Sequence, residues 1–350
     1  MNLRILLVLV SCALSITTGL VLSRGGGAAV SGRSRPLIGL SMDTLKEERW
    51  LTDRDLFTKR AQELGADVLV QAANGDDTRQ ITDVQTLITS KVDALVVIPH
   101  NGAAMAKAVA MAHEAGIPVL SYDRLITGCD LDLYITFDNV KVGEFQARFI
   151  AEHLPPSGKL RLVRIYGART DNNAKLFKQG QDNIIDPLVA AGKVEVVHED
   201  WADDWKPENA KKITNAAITK AGKFDAILAS NDGTAGGAVQ ALTEEGLAGK
   251  VIVTGQDADL AGCQRIVNGT QSMTVYKPVK NLATQAAAAA VKLARRTPVI
   301  AKAETDNGQL PVPSILLDIV SVTKDNMRAT VVKDGFRSEA DVYQAAGNKP

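Results

Sequence analysis

Short apolar runs alternate with longer amphipathic stretches along the chain from Pro36 onward. The short runs are rich in β-branched residues and predict strands, whereas the longer stretches repeat apolar residues at the helical period. Phe57, Ala61 and Leu64 share one face of a helix predicted over 54–64, and a second helix is predicted over 79–89. The predicted strands are 37–42, 67–71, 94–98, 118–121, 160–165, 194–197, 226–229, 251–254 and 272–275.

The alternation of strands and helices predicts the α/β class, with doubly wound parallel sheets covered by helices on both faces. A length of 350 residues favours two domains over one. A weak internal repeat also bears on the number of domains. The segments 93–123 and 225–257 share one order, which is a strand, an Ala-rich helix, a second strand and then Asp. Because any two βαβ units share this order, the repeat has two interpretations. It is either a coincidence or the sign of two similar lobes.

The N-terminus carries a targeting pattern. Residues 1–4 include a positive charge, residues 5–22 have none, and residues 23–35 form a Gly-, Ser- and Arg-containing spacer that we exclude from the fold. The uncharged stretch fits a cleaved signal or an uncleaved anchor. Leu9-Val-Ser-Cys12 also resembles a bacterial lipobox, which would lipidate Cys12. All three readings place the mature protein outside the cytoplasmic membrane.

Charge and cysteine content exclude several classes of function. Forty basic and forty acidic residues give no net attraction for nucleic acid or an anionic membrane surface. The two remaining cysteines, Cys129 and Cys263, lie far apart without metal-ligand spacing, which favours buried free thiols over a disulfide.

No dinucleotide, phosphate-loop, serine-hydrolase or zinc-protease motif occurs, so we expect neither an enzyme nor a cofactor.

Polar residues follow the predicted strands, where ligands bind in open parallel α/β sheets. Asp43, Asp123-Arg124, Asn231 and Asp257 stand at such positions. Carboxylates, amides and guanidinium groups can pair with neighbouring hydroxyls, and a sugar ring also needs flat apolar partners. Trp50 and Trp205 adjoin polar segments and can supply them.

Each of these residues also has a purely structural interpretation. Asp123 and Asp257 would equally serve as helix N-caps, and a Trp near a helix start is commonly a core residue. Arg49 lies in a charged run, where a solvated surface position is the ordinary expectation.

Several segments together resemble the periplasmic D-xylose-binding protein family of ABC sugar transporters, within the type I periplasmic sugar-binding proteins. The resemblance runs from about Pro36 to Phe336. It rests most on Pro36-Leu-Ile-Gly-Leu-Ser-Met-Asp43, Glu48-Arg-Trp50, Tyr122-Asp-Arg124, Asp171-Asn-Asn-Ala-Lys-Leu-Phe177, Gly255-Gln-Asp-Ala-Asp-Leu-Ala-Gly262 and Met273-Thr-Val-Tyr-Lys-Pro278.

The resemblance implies one monosaccharide, D-xylose, bound between two lobes and handed to a membrane permease by a monomeric protein. Its implied polar contacts are Arg49, Asp123, Arg124, Asn173, Asn231, Asp257 and Lys277, and Trp50 and Trp205 would sandwich the ring. It also implies lobe crossings near Asn139, Lys277-Pro278 and residues 318–322. We therefore expect a leader and spacer at 1–35, an N-terminal lobe at 36–139 plus 278–320, and a C-terminal lobe at 140–277 plus 321–345.

Besides an enzyme, which the missing motifs disfavour, a repressor and a sensory ectodomain are alternatives to this interpretation. A sugar-responsive repressor of the same superfamily needs an N-terminal helix-turn-helix, and an apolar leader occupies that place here. A sensory ectodomain that presents bound sugar to a membrane receptor fits every residue named. The preferred sugar also stays open among xylose, ribose, arabinose and glucose, because one hydroxymethyl group is discriminated by cavity shape.

Overall fold

The computed structural model describes residues 33–156 and 158–344. The predicted targeting segment, Cys12 and most of the predicted spacer lie outside the described residues. The described strands are β1 (Leu37–Met42), β2 (Asp67–Ala72), β3 (Ala94–Val97), β4 (Val119–Tyr122), β5 (Leu133–Phe137), β6 (Leu160–Tyr166), β7 (Val194–Trp201), β8 (Ala226–Ala229), β9 (Ile252–Val253), β10 (Thr274–Tyr276), β11 (Ala303–Asp306), β12 (Pro311–Leu317) and β13 (Val320–Val322).

The α-helices fill most of the intervals between these strands. They are α1 (Glu48–Glu63), α2 (Asp77–Thr89), α3 (Ala106–Glu114), α4 (Asn139–Ala151), α5 (Asn172–Ala190), α6 (Pro207–Ala221), α7 (Asp232–Glu244), α8 (Leu260–Asn268), α9 (Val279–Ala294) and α10 (Glu339–Tyr343). Asp203–Trp205 forms a 3₁₀ turn, and Arg328–Val332 forms a short π-helix. Within the described residues, no helix is both long enough and apolar enough to cross a membrane.

The first sheet has seven strands in the order β11-β12-β5-β4-β3-β1-β2. All neighbours pair in parallel except β11 and β12, which are antiparallel. Strands β3, β4 and β5 are buried along their whole length. Helices must therefore cover both faces of this sheet, and α1 and α9 pack together over one of them around Phe57, Leu282 and Ala286.

The second sheet has four parallel strands in the order β7-β6-β8-β9. A separate antiparallel pair, β10 and β13, adjoins it through a parallel bridge between Gln256 and Val275. The core of this sheet forms around β6 and β8, where Val163, Ile165 and Ile227 are fully buried.

The α/β class is confirmed, and each of the nine predicted strands occurs, with ends that differ by a few residues. Four further strands, β5, β11, β12 and β13, were not predicted. The expectation of parallel pairing is wrong for β10–β13 and β11–β12. Strands β11 and β12 lack the uninterrupted β-branched run on which the prediction relied: β11 reads Ala-Glu-Thr-Asp, and β12 opens Pro-Val-Pro. Cys129 and Cys263 are buried free thiols, as expected, and burial raises their pKa values to about 11 and about 12.

Candidate functional site

One cavity of about 480 Å³ lies at the carboxyl ends of the strands of both sheets. Residues that follow β1 and β4 in the first sheet line it together with residues that follow β6, β8 and β9 in the second sheet. All nine residues proposed from the sequence line this cavity: Arg49, Trp50, Asp123, Arg124, Asn173, Trp205, Asn231, Asp257 and Lys277.

Arg49 is the centre of a buried charge network on one side of the cavity. Its guanidinium donates to Asp123, to Asp53 at 3.3 Å and to Asp257 at 3.4 Å. Burial lowers the pKa of Arg49, but the three carboxylates outweigh burial and raise it well above its ordinary value. Arg49 is only 6% exposed, so the expectation of a solvated surface charge does not hold here.

Asp123 receives donors from several directions. Asn173 Nδ2 donates to its carboxylate Oδ1 at 3.1 Å and to its backbone oxygen at 3.0 Å. Burial alone would raise the pKa of Asp123, but Arg49 and Lys277 hold it below its ordinary value. The backbone of Asp123 is left-handed, with φ 60°, and no helix begins after it, so it is not the N-cap that the sequence allowed.

Arg124 forms a second cluster. Its Nη1 donates to Asp43 Oδ2 at 2.6 Å and to the Pro99 carbonyl at 3.3 Å, and its Nε lies 3.1 Å from Asp171 Oδ2. Burial lowers the pKa of Arg124, and Asp171 and Asp43 together raise it above its ordinary value. Asp43 and Asp171 thus hold a candidate sugar-binding cation, a role that the sequence did not assign to them. Two signals pointed that way: Asp43 directly follows β1, and Asp171 stands at an N-cap position before α5.

The loop after β9 presents Asp257 to the cavity in an unusual backbone conformation. Asp257 and the following Ala258 both have positive φ, at 95° and 51°. The N-cap of α8 is Asp259, so the capping interpretation of Asp257 is wrong. Asp232 supports the loop, because its carboxylate accepts from the Asp259 amide at 3.0 Å, from Gln271 Nε2 at 2.7 Å and from Thr274 Oγ1 at 3.0 Å.

Asn231 has a structural role as well as a place in the cavity wall. It caps α7, and its Oδ1 accepts from the Thr234 amide at 2.8 Å in a reciprocal capping box. Its side-chain oxygen is therefore already engaged by the helix.

The two tryptophans lie in different environments. Trp50 is 4% exposed and belongs to the core of the first sheet, with the guanidinium carbons of Arg49 and Arg124 at 4.4 and 5.2 Å from its ring centroid. Trp205 is partly exposed and packs edge-on against Phe177, with ring centroids 6.2 Å apart. The core interpretation holds for Trp50, which also reaches the cavity, whereas Trp205 is a partly buried residue of the cavity wall that packs against the same core.

Other cavity residues include Glu47 and Gln256, which sequence reasoning did not select, and Asp43, which it placed after a strand without giving it a contact. Asp43 Oδ1, Glu47 Oε2 and Gln256 Oε1 are buried and have no hydrogen-bond partner. Burial, with Asp43 and Asp257 nearby, raises the pKa of Glu47 against the opposing effect of Arg124. Within the described residues, no His, Cys, Asp and Glu cluster is suited to holding a metal ion.

Comparisons with known proteins relate the chain to sugar-binding proteins. A family model described as a periplasmic binding protein domain matches residues 38–298. Relatives named D-xylose-binding periplasmic protein from Haemophilus influenzae and from Escherichia coli K12 are 50% and 49% identical, over 89% and 87% of this chain and 94% and 92% of their own lengths. The crystal structure of a carbohydrate transporter solute binding protein from Chloroflexus aurantiacus, in complex with D-glucose, is similar with a TM-score of 0.82 and 33% identity, covering 88% of this chain and 98% of that chain.

Proposed function

Because this chain belongs to the periplasmic binding protein domain family, we propose that it binds D-xylose between two lobes and delivers the sugar to an ABC transporter permease. The two relatives that share about half of its residues are both named for D-xylose binding in the periplasm. These relatives are binding proteins, and this chain is likewise a sugar-binding protein rather than an enzyme.

The observation that carries this function is the convergence of the nine residues on one cavity. They come from segments spread between Arg49 and Lys277, so only the fold brings them together. The cavity combines fixed cations, fixed carboxylates and aromatic faces. Such a set matches a small ligand with a ring of hydroxyl groups and an apolar C–H face.

Each residue then has a defined role toward the sugar. Arg49, Arg124 and Lys277 donate to hydroxyl oxygens, and Asp123 and Asp257 accept hydroxyl protons. Asn173 and Asn231 complete the polar contacts, and Trp50 and Trp205 cover the two faces of the ring. The charged groups pair with one another, and these ion pairs hold their side chains in place within the cavity.

The lobes of the proposal are residues 36–139 plus 278–320 and residues 140–277 plus 321–345, after a leader and spacer at 1–35. Sheet membership supports this division, because every strand of the first sheet falls in the first lobe and every strand of the second sheet in the other. The chain would cross between lobes near Asn139, Lys277-Pro278 and residues 318–322. Hinge closure at these crossings would remove the sugar from water.

We place the protein in the periplasm as a monomer, exported by its N-terminal signal. Cleavage of that signal, retention as an anchor, and lipidation at Cys12 remain alternatives outside the described residues. The neutral overall charge fits a sugar ligand and gives no attraction for nucleic acid.

Glucose is a second candidate ligand. The Chloroflexus aurantiacus structure, which shares 33% of its residues with this chain, was solved in complex with D-glucose. A pentose and a hexose differ by one hydroxymethyl group, which a cavity discriminates by only about 1–3 kcal/mol unless polar groups are left unpaired.

Calorimetric titration of the refolded, ligand-free mature protein tests the proposal, with xylose, glucose, ribose, arabinose and galactose compared in parallel. We expect one-to-one binding with xylose the tightest ligand. Tighter binding of glucose than of xylose would still support the transport function but would show that glucose is the preferred sugar. Failure of all five sugars to bind would contradict the proposal.

A further inference from the structure

Asp171 contacts three of the nine candidate sugar-binding residues. Its Oδ2 lies 3.1 Å from Arg124 Nε and accepts from Trp205 Nε1 at 3.1 Å, and its Oδ1 accepts from the Asn173 amide at 2.9 Å. Asp171 itself is 4% exposed. We propose that Asp171 is a positioning residue that holds the Trp205 ring in place and couples it to closure of the site.

The contacts of Asp171 join the two halves of the cavity. Arg124 follows β4 of the first sheet, whereas Asp171 and Trp205 follow β6 and β7 of the second sheet. The ion pair with Arg124 therefore forms only when the edges of the two sheets meet. Burial raises the pKa of Asp171, and Arg124 is the largest influence that opposes this rise. Separation of the sheets would take away the cation that stabilises this carboxylate.

The geometry around Trp205 makes its ring sensitive to Asp171. Trp205 has a left-handed backbone, with φ 58°, in the short turn Asp203–Trp205. Its indole packs against Gly167, where an added Cβ would overlap the ring. The indole N–H donates to Asp171, so the carboxylate sets the direction of the ring in this slot. One side chain thus links the aromatic platform to the cation on the opposite lobe.

This inference rests on the proposed function, and Asp171→Asn is the variant that tests it. Asparagine caps helices about as well as aspartate, so the start of α5 is retained while the charge is lost. We expect xylose affinity to fall at least about tenfold, mainly through faster dissociation, since a charge-assisted contact is lost. Asp186→Asn, which removes an exposed carboxylate from the same helix, is the control and should bind like the wild type.

A double-mutant cycle and a spectroscopic readout separate positioning from general stability. Trp205→Phe keeps a ring but removes the N–H donor, so its effect on affinity and that of Asp171→Asn should be clearly non-additive. The chain has three tryptophans, and nitrogen-15 labelling of their indoles gives signals among which Trp205 is identified by its loss in Trp205→Phe. Asp171→Asn should shift that signal in the sugar-free protein, because the carboxylate acceptor becomes an amide.

The outcomes are distinct for the two proposals. Three results would each overturn the role of Asp171. They are wild-type affinity in Asp171→Asn, an unchanged Trp205 indole signal in that variant, and additive effects of the two substitutions in the cycle. Absence of sugar binding by the wild type would instead contradict the proposed function. In that case the indole signal alone still decides whether Asp171 positions Trp205.

Discussion

Lys277 Nζ lies 2.9 Å from Asp257 Oδ1, and the Lys277 side chain is only 2% exposed. Its ammonium group also lies within 6 Å of the Phe137 and Phe177 rings, at 5.7 and 5.9 Å from their centroids. The same Asp257 oxygen receives Arg49 Nη1 at 3.4 Å. One carboxylate therefore compensates two buried cations that come from different parts of the chain.

Loss of this carboxylate should weaken sugar binding strongly. Asp257→Ala leaves Lys277 and Arg49 without one of their acceptors and removes an acceptor for a sugar hydroxyl. We expect binding to lose at least about 2 kcal/mol, measured by titration calorimetry. Asp55→Ala, which removes an exposed carboxylate from α1, is the control and should leave affinity unchanged. Near-wild-type affinity in Asp257→Ala would show that this residue does not contact the sugar.

The two tryptophans should separate binding from stability. Trp205 is partly exposed at the cavity wall, so Trp205→Ala should weaken sugar binding and leave the melting temperature of the ligand-free protein nearly unchanged. Trp50 is 4% exposed in the core, so Trp50→Ala should cost about 3–5 kcal/mol of unfolding free energy as well as affinity. Calorimetric melting of both variants checks this contrast. A large loss of stability in Trp205→Ala would assign that ring to the core.

Gly167→Ala should act on binding through the Trp205 ring. A Cβ at this position would overlap the six-membered part of the indole, so the ring must move away from its place in the wall. We expect weaker sugar binding, and the crowding itself should cost about 1–3 kcal/mol of unfolding free energy. Equal sugar affinity in Gly167→Ala and the wild type would indicate that the ring position is not critical.

The stability of the protein should depend on pH through Asp232. Burial raises its pKa from 3.8 to about 7, although Arg265 and Gln271 oppose the rise and Asp257 adds to it. Between these two values the folded state holds a proton that the unfolded state has released. The contribution of Asp232 to stability is therefore full below about pH 4 and is lost as the pH rises through about 7.

Asp232→Asn isolates this effect, because asparagine resembles the protonated acid. Between pH 5 and pH 8, the wild type should lose at least about 1 kcal/mol of unfolding free energy relative to the variant. Urea denaturation at the two pH values measures the difference. If the difference in unfolding free energy between the wild type and Asp232→Asn is the same at both pH values, the pKa of Asp232 is not raised.

The order of local elements followed from the sequence alone. Nine strands and the helices between them are recognisable from the spacing of apolar residues in short stretches of the sequence, because burial of a face imposes that spacing. The sequence also placed Asp123, Asn231 and Asp257 after strands, where a parallel sheet gathers polar side chains. The same local patterns failed for β11, which has a polar sequence, and for β13, whose partner β10 lies far away in the chain.

Only the tertiary structure decided which charges pair and which aromatic rings are buried. Arg49 and Asp257 are 208 positions apart, and Arg124 meets Asp43 and Asp171 from opposite sides of the cavity. No local pattern encodes these contacts, because an ion pair depends on the distance between side chains in space and on their removal from water. For that reason the sequence alone supplied candidate sugar-binding residues, and the fold added Asp171 as the carboxylate that joins three of them.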